Sequence, residues 1–532
     1  GALLRACSDA PAKTGRMASS GGAGERAVFA GRCMAELGDA PGLASLLAGL
    51  DDRAVAMQVA YDACAQCSGP TLERVVEALQ QHVKDAASDK REGVASLLPV
   101  LADGGRGLRQ AFLARACATD VAVLERTRVL LPSGASMHHA ALSAANGAMH
   151  AGTGNDAFLR RNLDWLGAAT HWAKFGAAAS LGAVHYGRPG DAARTVIGPY
   201  LPRDAAPTNG SEYSEGGALY ALGLANAGTR RAAYREELLA QLDRASGLAE
   251  GGPVLAHGAA LGVGALLAGS GDMAAVDALR GSLYADDAVA SEGAAIGLGL
   301  VLLGRASSVE CGAKSGVESP VDQSEDVLTA SALADILDEA LAYARETQHE
   351  KTVRALGVAV ALAHVHAADA ALPTADALLA ERDAWLRHGG VWTLAAGFAG
   401  TASRAATSRL LHAAVSDSSD DVRRAAVAAL GLVYARHADA LPPVLATMAA
   451  SFNPHMRYGA ALALGTAYAG TGSARAAALL RPLLRDPADY VRQGACIGLG
   501  LVMQLQAAPD DADGVGVICS VSSPGSTRVV GA

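Results

Sequence analysis

Between Trp172 and Met503 one short phrase recurs nine times, and a chain that repeats a phrase at such spacing is built as a stack of like units. Its clearest copies are Glu215 to Gly228 (EGGALYALGLANAG), Glu292 to Gly304 (EGAAIGLGLVLLG) and Arg457 to Gly470 (RYGAALALGTAYAG). Aligned on an internal small residue, the anchors are Gly182, Gly223, Gly264, Gly299, Ala361, Ala395, Gly431, Gly465 and Gly500. Seven of nine are Gly, where 61 Gly in 532 residues would place about one, so the register is not chance.

Six residues before the anchor stand Gly176, Gly217, Gly258, Gly293, Ala355, Gly389, Ala425, Gly459 and Gly494. Two before it stand Ser180, Ala221, Gly262, Gly297, Ala359, Thr393, Ala429, Ala463 and Gly498. Positions four apart lie one above the other on a helix, so one stripe is always small. The residue directly before the anchor is Leu or Val in every copy and points away from that stripe. Such a helix is apolar nearly all round and thin on one side, which lets a neighbouring backbone approach. Glycine inside a helix costs about 0.5–1 kcal/mol against alanine, so its recurrence implies a packing gain that offsets the loss.

The anchors are 41, 41, 35, 62, 34, 36, 34 and 35 residues apart. That period holds two helices and two turns, and each unit buries its apolar face only against the next. The fold class expected is all-α, an α-solenoid of HEAT- or armadillo-like helix pairs. The long interval contains an extra stretch, 306–326, rich in Ser, Gly and acid, which reads as a surface insertion. Residues 1–24 read as a poorly ordered N-terminus, 25–150 as helical hairpins leading into the array, 155–505 as the repeats and 506–532 as an irregular tail.

The chain is 51% apolar but only 4% aromatic, which suits closely packed helices built from Ala, Leu, Val and Gly. With 44 basic and 53 acidic residues spread along it, no basic face for nucleic acid is expected. The apolar runs read as too short or too interrupted to span a bilayer. The first residues lack a secretory signal pattern, and eight scattered Cys fit a reducing compartment.

Several longer phrases run through and between the copies, and His171 to Phe175 and Glu346 to Lys351 within them lie outside the repeat consensus. They include Phe158 to Gly187 (FLRRNLDWLGAATHWAKFGAAASLGAVHYG), Tyr343 to Lys351 (YARETQHEK), Arg409 to Gly431, Asn453 to Gly465 and Asp486 to Ala495. Together they resemble the family of the largest non-ATPase scaffold of the proteasome regulatory particle, non-ATPase regulatory subunit 1. The resemblance is dense from Asp156 to Met503 and looser from Leu37 to Gly147. It implies proteasome/cyclosome repeats, which in that family close into a toroid, and a non-catalytic scaffold that holds ATPase-ring, lid and ubiquitin-receptor subunits in the cytoplasm and nucleus. The chain departs from the family at both ends and at the insertion, so ring closure and docking of a ubiquitin receptor are not expected of it.

Reactive motifs are weak. His349-Glu350 opens like H-E-x-x-H, but Val353 stands where the second histidine is needed. Cys64-Ala-Gln-Cys67 is an isolated pair expected to be ordinary thiols. Met137-His138-His139 and His150 read as a solvated connection. Gly262-Val-Gly264 and Gly297-Leu-Gly299 lack the βαβ setting of a nucleotide loop. No catalytic, cofactor or metal residue is expected. Asp421, Arg423, Arg424, Arg457 and Arg492 read as an acid–arginine ladder between units, with partner contacts as the sharper alternative. Two function classes stand: the proteasome scaffold, and a generic HEAT-like adaptor of another assembly such as the anaphase-promoting complex.

Overall fold

The computed structural model describes residues 21–67, 69–85, 93–102, 121–131, 136–187, 192–203, 211–248, 251–285, 287–307 and 328–504. The expected disorder of 1–20, the insertion beyond residue 307 and the tail 506–532 lie outside these residues. Among the described residues every regular element is helical. The chain divides into two compact units, residues 1–266 and 267–532.

The first unit opens with α1 (Gly21–Glu36), α2 (Ala40–Gly49), α3 (Arg53–Gln66), α4 (Gly69–Asp85) and α5 (Leu98–Ala102). Helix α1 therefore already includes part of the stretch expected to be poorly ordered. Asp39 and Asp52 accept from the first amides of α2 and α3, which fixes where those helices begin. Leu43, Leu47, Val59, Val75, Leu79, Leu97 and Leu101 form their shared core. Next come α6 (Val121–Leu130), α7 (Ser136–Met149), α8 (Ala157–Arg161), α9 (Leu163–Gly167), α10 (Trp172–Val184), α11 (Ala192–Ile197), α12 (Ser211–Ala225), α13 (Ala232–Ser246) and α14 (Gly252–Leu266).

The second unit continues with α15 (Met273–Leu283), α16 (Ala288–Val301), α17 (Ala330–Glu346), α18 (Glu350–Ala363), α19 (Ala371–Leu379) and α20 (Ala384–Gly397). It ends with α21 (Arg404–Ser416), α22 (Asp420–Val433), α23 (Leu441–Ala449), α24 (Pro454–Ala467), α25 (Ala474–Leu480) and α26 (Asp489–Val502). The anchors sit on one column of stacked inner helices in each unit: α10, α12 and α14 in the first, and α16, α18, α20, α22, α24 and α26 in the second. Helices α11, α13, α15, α17, α19, α21, α23 and α25 form an outer layer against them.

Why these helices stack is visible at single atoms. A methyl built on Gly182 would lie 2.6 Å from the Ala221 Cα, and one on Gly431 would lie 2.6 Å from the Ala463 Cα. Gly299 meets Ala359, Gly465 meets Gly498 and Gly223 meets Gly262 in the same way. Each of these five anchors thus presses on the residue two before the anchor of the next copy. The position six before the anchor faces the preceding copy instead: Gly217 lies on Phe175, Gly258 on Gly216 and Gly459 on the Arg424 carbonyl. Small residues therefore occupy two opposite faces, one for each neighbour. Leu222, Val263, Val360, Leu394 and Leu430, just before their anchors, are fully buried between the layers.

Five residues past an anchor the chain turns with positive φ, and that turn is tied to the next copy. The amide of Gly228 (φ 69°) donates to Ala265 O at 3.0 Å, and that of Gly470 (φ 69°) to Leu501 O at 2.8 Å. Glycine suits a left-handed turn that L side chains disfavour. The same bonds run from Gly269 to Leu300, Gly304 to Leu362 and Gly400 to Leu432.

Two sequence expectations are corrected by these contacts. The array starts one unit before residue 155: Gly152 donates to Ala183 O, and a methyl on Gly147 of α7 would lie 3.3 Å from the Ser180 Cβ. Gly147 is thus a tenth anchor, 35 residues before Gly182, and it was hidden because Asn146 replaces the aliphatic residue before it. The apolar run also needs qualification. Residues 288–307 are long and apolar enough, by composition alone, to cross a membrane. Helix α16 itself has 14 residues and ends before the left-handed Gly304, whereas a span needs about 20.

Candidate functional site

Inter-copy pairing is built from two register positions. Eight residues before four successive anchors stand Arg387, Arg423, Arg457 and Arg492, and fourteen before stand Glu381, Asp417, Ser451 and Asp486. Arg387 donates to both carboxylate oxygens of Asp417, at 2.7 and 3.0 Å. Arg457 grips Asp486 at 2.6 and 2.8 Å. Each arginine's third branch donates to carbonyls of its own turn: Arg387 to Glu381 and Arg382, Arg457 to Ser451 and Phe452. The carboxylates also receive the turn amides of Ser419 and Ala488. Each rung therefore ties an inner helix to the turn that starts the next one.

The charges respond accordingly. Hydrogen bonding from Arg457 holds Asp486 below the ordinary carboxyl range against the opposing effect of burial. At Asp417 burial pushes upward, but the hydrogen bonds of Arg387 and Ser419 bring the net shift down. On the outer layer Arg409 grips Asp376 with both branches and lowers it too.

The other ladder candidates are placed differently. Arg424 pairs with Asp421 and Arg423 with Asp420, each within α22 rather than across copies. Arg424 also lies 5.8 Å over the Tyr458 ring. Arg492 donates to the Asp486 and Pro487 carbonyls, as Arg387 and Arg457 do to the equivalent carbonyls of their own turns. The partners Asp417 and Asp486, and Arg387 itself, were missed in the sequence. The signal that finds them is the fixed offset from the anchor, not local acid–arginine spacing.

A second feature lines the inner helices away from the outer layer. In the first unit Trp172 touches Phe175, Tyr213 and His257 edge to face, with centroids 5.2–5.4 Å apart. In the second, Arg354 lies 5.4 Å over Trp385, and His388 sits between Trp385 and Trp392. His455 stacks on Tyr490 at 5.1 Å. Three of the chain's four tryptophans are on this lining, and Trp, Tyr and Arg are the residues that carry most interface energy. Burial pushes His388 down to about 4, and its Nε2 accepts from the Trp392 indole.

Grooves between successive outer elements differ along the chain. Over α10 a groove of about 600 Å³ is floored by Leu159, Leu166, Ala178 and Leu181, with Arg160 and Lys174 at its rim. Between α19 and α21 a groove of about 660 Å³ is crossed by the Arg387–Asp417 and Arg409–Asp376 pairs.

The histidines read as a solvated connection lie instead on and after α7. His139, Ser143, Asn146 and His150 form one buried stripe of that helix, because steps of four, three and four return to the same face. His139 stacks on Trp165 at 4.2 Å, and burial lowers the His150 pKa. Ser143, Asn146 and both His150 ring nitrogens have no hydrogen-bond partner. His349 caps the start of α18 and Glu350 opens it. Cys64 and Cys67 are half-buried, Cys64 lying 3.5 Å from the Val100 carbonyl and Cys67 pushed up by burial. Among the described residues no group of three or more His, Cys, Asp or Glu is placed to hold a metal.

Comparison with known proteins places these features in context. Residues 407–500 match the family model of HEAT repeats. The chain is 41% identical over 393 residues to the 26S proteasome non-ATPase regulatory subunit 1 homolog B of Arabidopsis thaliana, covering 74% of this chain and 36% of that protein. It is 39% identical over 434 residues to the 26S proteasome non-ATPase regulatory subunit 1 of Drosophila melanogaster, covering 81% and 38%. With the 26S proteasome regulatory subunit RPN2 of Saccharomyces cerevisiae it shares 36% identity over 456 residues, covering 85% and 44%. The chain therefore spans well under half the length of the curated relatives it matches.

Proposed function

Over most of its length this chain is a homologue of 26S proteasome non-ATPase regulatory subunit 1, and from that premise we propose that it serves as a non-catalytic scaffold of the proteasome regulatory particle. In this reading it assembles with ATPase-ring, lid and ubiquitin-receptor subunits, in cytoplasm and nucleus, and supports degradation of ubiquitinated proteins by holding them in register. Neither a cofactor nor nucleic acid nor a membrane has a part in it.

The observation that carries the reading is the identity of 39% sustained over 434 residues, which extends well beyond the anchors. The geometry agrees with a scaffold's physical task. Inner helices nested at backbone distance and tied by buried ion pairs resist deformation, and the aromatic and arginine lining supplies contact chemistry. The test is co-purification of a tagged full-length version of the chain under gentle conditions, read by native mass spectrometry. ATPase-ring and other regulatory-particle subunits are the expected companions. Their absence, with members of another assembly in their place, would leave the generic HEAT-like adaptor.

A further inference from the structure

The ladder between inner helices has one open rung. The arginine position is filled by Arg387, Arg423 and Arg457, and the acceptor position of each following copy by Asp417, Ser451 and Asp486. The first and third rungs close with paired hydrogen bonds. In the middle one serine stands in place of aspartate. Its hydroxyl performs only the local half of the aspartate's work, accepting the Asn453 amide at 3.2 Å as Asp417 accepts Ser419 and Asp486 accepts Ala488.

The arginine facing this gap is left short of acceptors. Arg423 makes one ion pair, Nη2 to Asp420 at 2.8 Å, and its buried Nε has no hydrogen-bond partner. The two sides are already in register, because the Asn453 side chain donates to the same Asp420 oxygen at 2.7 Å. Thus Arg423, Asp420, Asn453 and Ser451 form one continuous cluster. Arg457, although paired with Asp486, holds the turn in place by donating to the Ser451 carbonyl at 2.8 Å. The start of α24, at Pro454, adds the positive end of a helix. Phe452, next to Ser451, is fully exposed, so the turn is presented to solvent.

We propose that Ser451 is a phosphorylation site, and that its phosphate closes the open rung by accepting from Arg423. The reaction is ordinary phosphoryl transfer by a protein serine kinase using ATP. The Ser451 Oγ forms a bond to the γ-phosphorus as the bond to the β,γ-bridging oxygen breaks, ADP leaves, and the hydroxyl proton passes to the kinase's base. The phosphate brings between about 1.5 and 2 negative charges at pH 7 and three acceptor oxygens to a place with an arginine short of acceptors and a helix start. Asp420, the carboxylate already paired with Arg423, opposes it, but its side chain is about half exposed and can turn outward, while Asp486 stays neutralised by Arg457. Modification would thereby stiffen the α22–α24 junction to match its neighbours.

The test compares four forms of the chain: unmodified, with phosphoserine installed at 451 during translation, and the phosphoserine form carrying Arg423→Gln or Arg423→Lys. Phosphorus NMR titration reads the second ionisation of the phosphate, which in a free phosphoserine has its midpoint at about pH 6. Pairing with Arg423 predicts a midpoint lowered by about one unit or more, returning toward the free value in Arg423→Gln and staying low in Arg423→Lys, which also controls for folding. An ordinary midpoint in all forms would overturn closure of the rung. Peptide mapping of the chain isolated from its own cells supplies the second arm. Phosphate on the peptide containing Ser451 is expected, and an unmodified Ser451 under every growth condition sampled would overturn the modification.

Discussion

The start of the array and its second-unit portion from 371 to 502 share one way of nesting and differ in how the outer side is held. In both, turn amides bond the next inner helix: Gly152 to Ala183 in one, Gly470 to Leu501 in the other. Around α10, however, the outer elements among the described residues are short: α8 and α9, of five residues each, and the six-residue α11. Its groove is lined mainly by apolar residues, its ion pair Arg160–Asp156 lies within one turn rather than across copies, and Leu163 is exposed beside it. Around α19 to α21 a groove of similar size is spanned by two doubly bonded ion pairs. The column of inner helices therefore does not depend on the ladder. Close backbone packing makes the array, and the ladder pins it where present.

The largest effect expected on this comparison comes from overpacking the shared element. Gly431→Leu in the pinned region would drive a side chain into the Ala463 backbone, and a loss of more than about 3 kcal/mol in denaturant unfolding is expected. A loss under about 1 kcal/mol would mean the ladder, not nesting, holds that region.

Removing a pin should cost less and only where pins exist. Arg457→Ala leaves the buried Asp486 carboxylate unpaired and is expected to destabilise the second unit by about 2–4 kcal/mol. Arg160→Ala, at the open groove, removes an arginine that is two-thirds exposed and screened by water, and is expected to cost far less than Arg457→Ala. Equal losses would erase the distinction between the regions.

Acid sharpens the same contrast. Asp376, Asp417 and Asp486 have pKa values below the ordinary 3.8, so the unfolded chain takes up their protons first. Their stabilisation is full above about pH 4 and is lost as pH falls through the lower folded values. His388, lowered from 6.5 to about 4, acts earlier: between those values the unfolded chain binds a proton that the folded one refuses. The second unit should therefore lose about 2–3 kcal/mol on going from pH 6.5 to pH 4. His388→Gln should flatten that slope, and an unchanged slope in thermal melts would refute the assignment.

A gain is expected at the loosest junction. Asn146 is fully buried, without a partner, where other copies carry Leu or Val, so Asn146→Leu should stabilise the first unit by about 1–2 kcal/mol. Destabilisation would show that the amide has a role the repeat does not explain.

These contrasts also explain what was legible in the sequence. A helix that must admit a backbone on both sides can carry only Gly, Ala, Ser or Thr there, so the register from Gly182 to Gly500 stands out. Gly147 did not, because Asn146 breaks the pattern just before it. The ladder was half visible: Arg457 is marked by its local phrase, but Asp486 is 29 residues away and its equivalent in the preceding copy is Ser451. Pairing across that distance is recorded only in the offset from the anchor. Local spacing pointed instead to Asp421 and Arg424, which pair within one turn. The buried face of α7 escaped for a related reason, since a polar stripe at helical spacing resembles a solvated surface.

Nesting itself is tested most directly by giving the same methyl group to two glycines of the first unit. At Gly223 it would fall inside the Gly262 backbone, whereas at Gly176 nothing lies within 4 Å. Unfolding free energies of the two variants should move in opposite directions: Gly223→Ala down by about 2 kcal/mol or more, and Gly176→Ala up by about 0.5–1 kcal/mol as helix propensity improves. Equal shifts, or a harmless Gly223→Ala, would contradict an array held together by close approach of its inner helices.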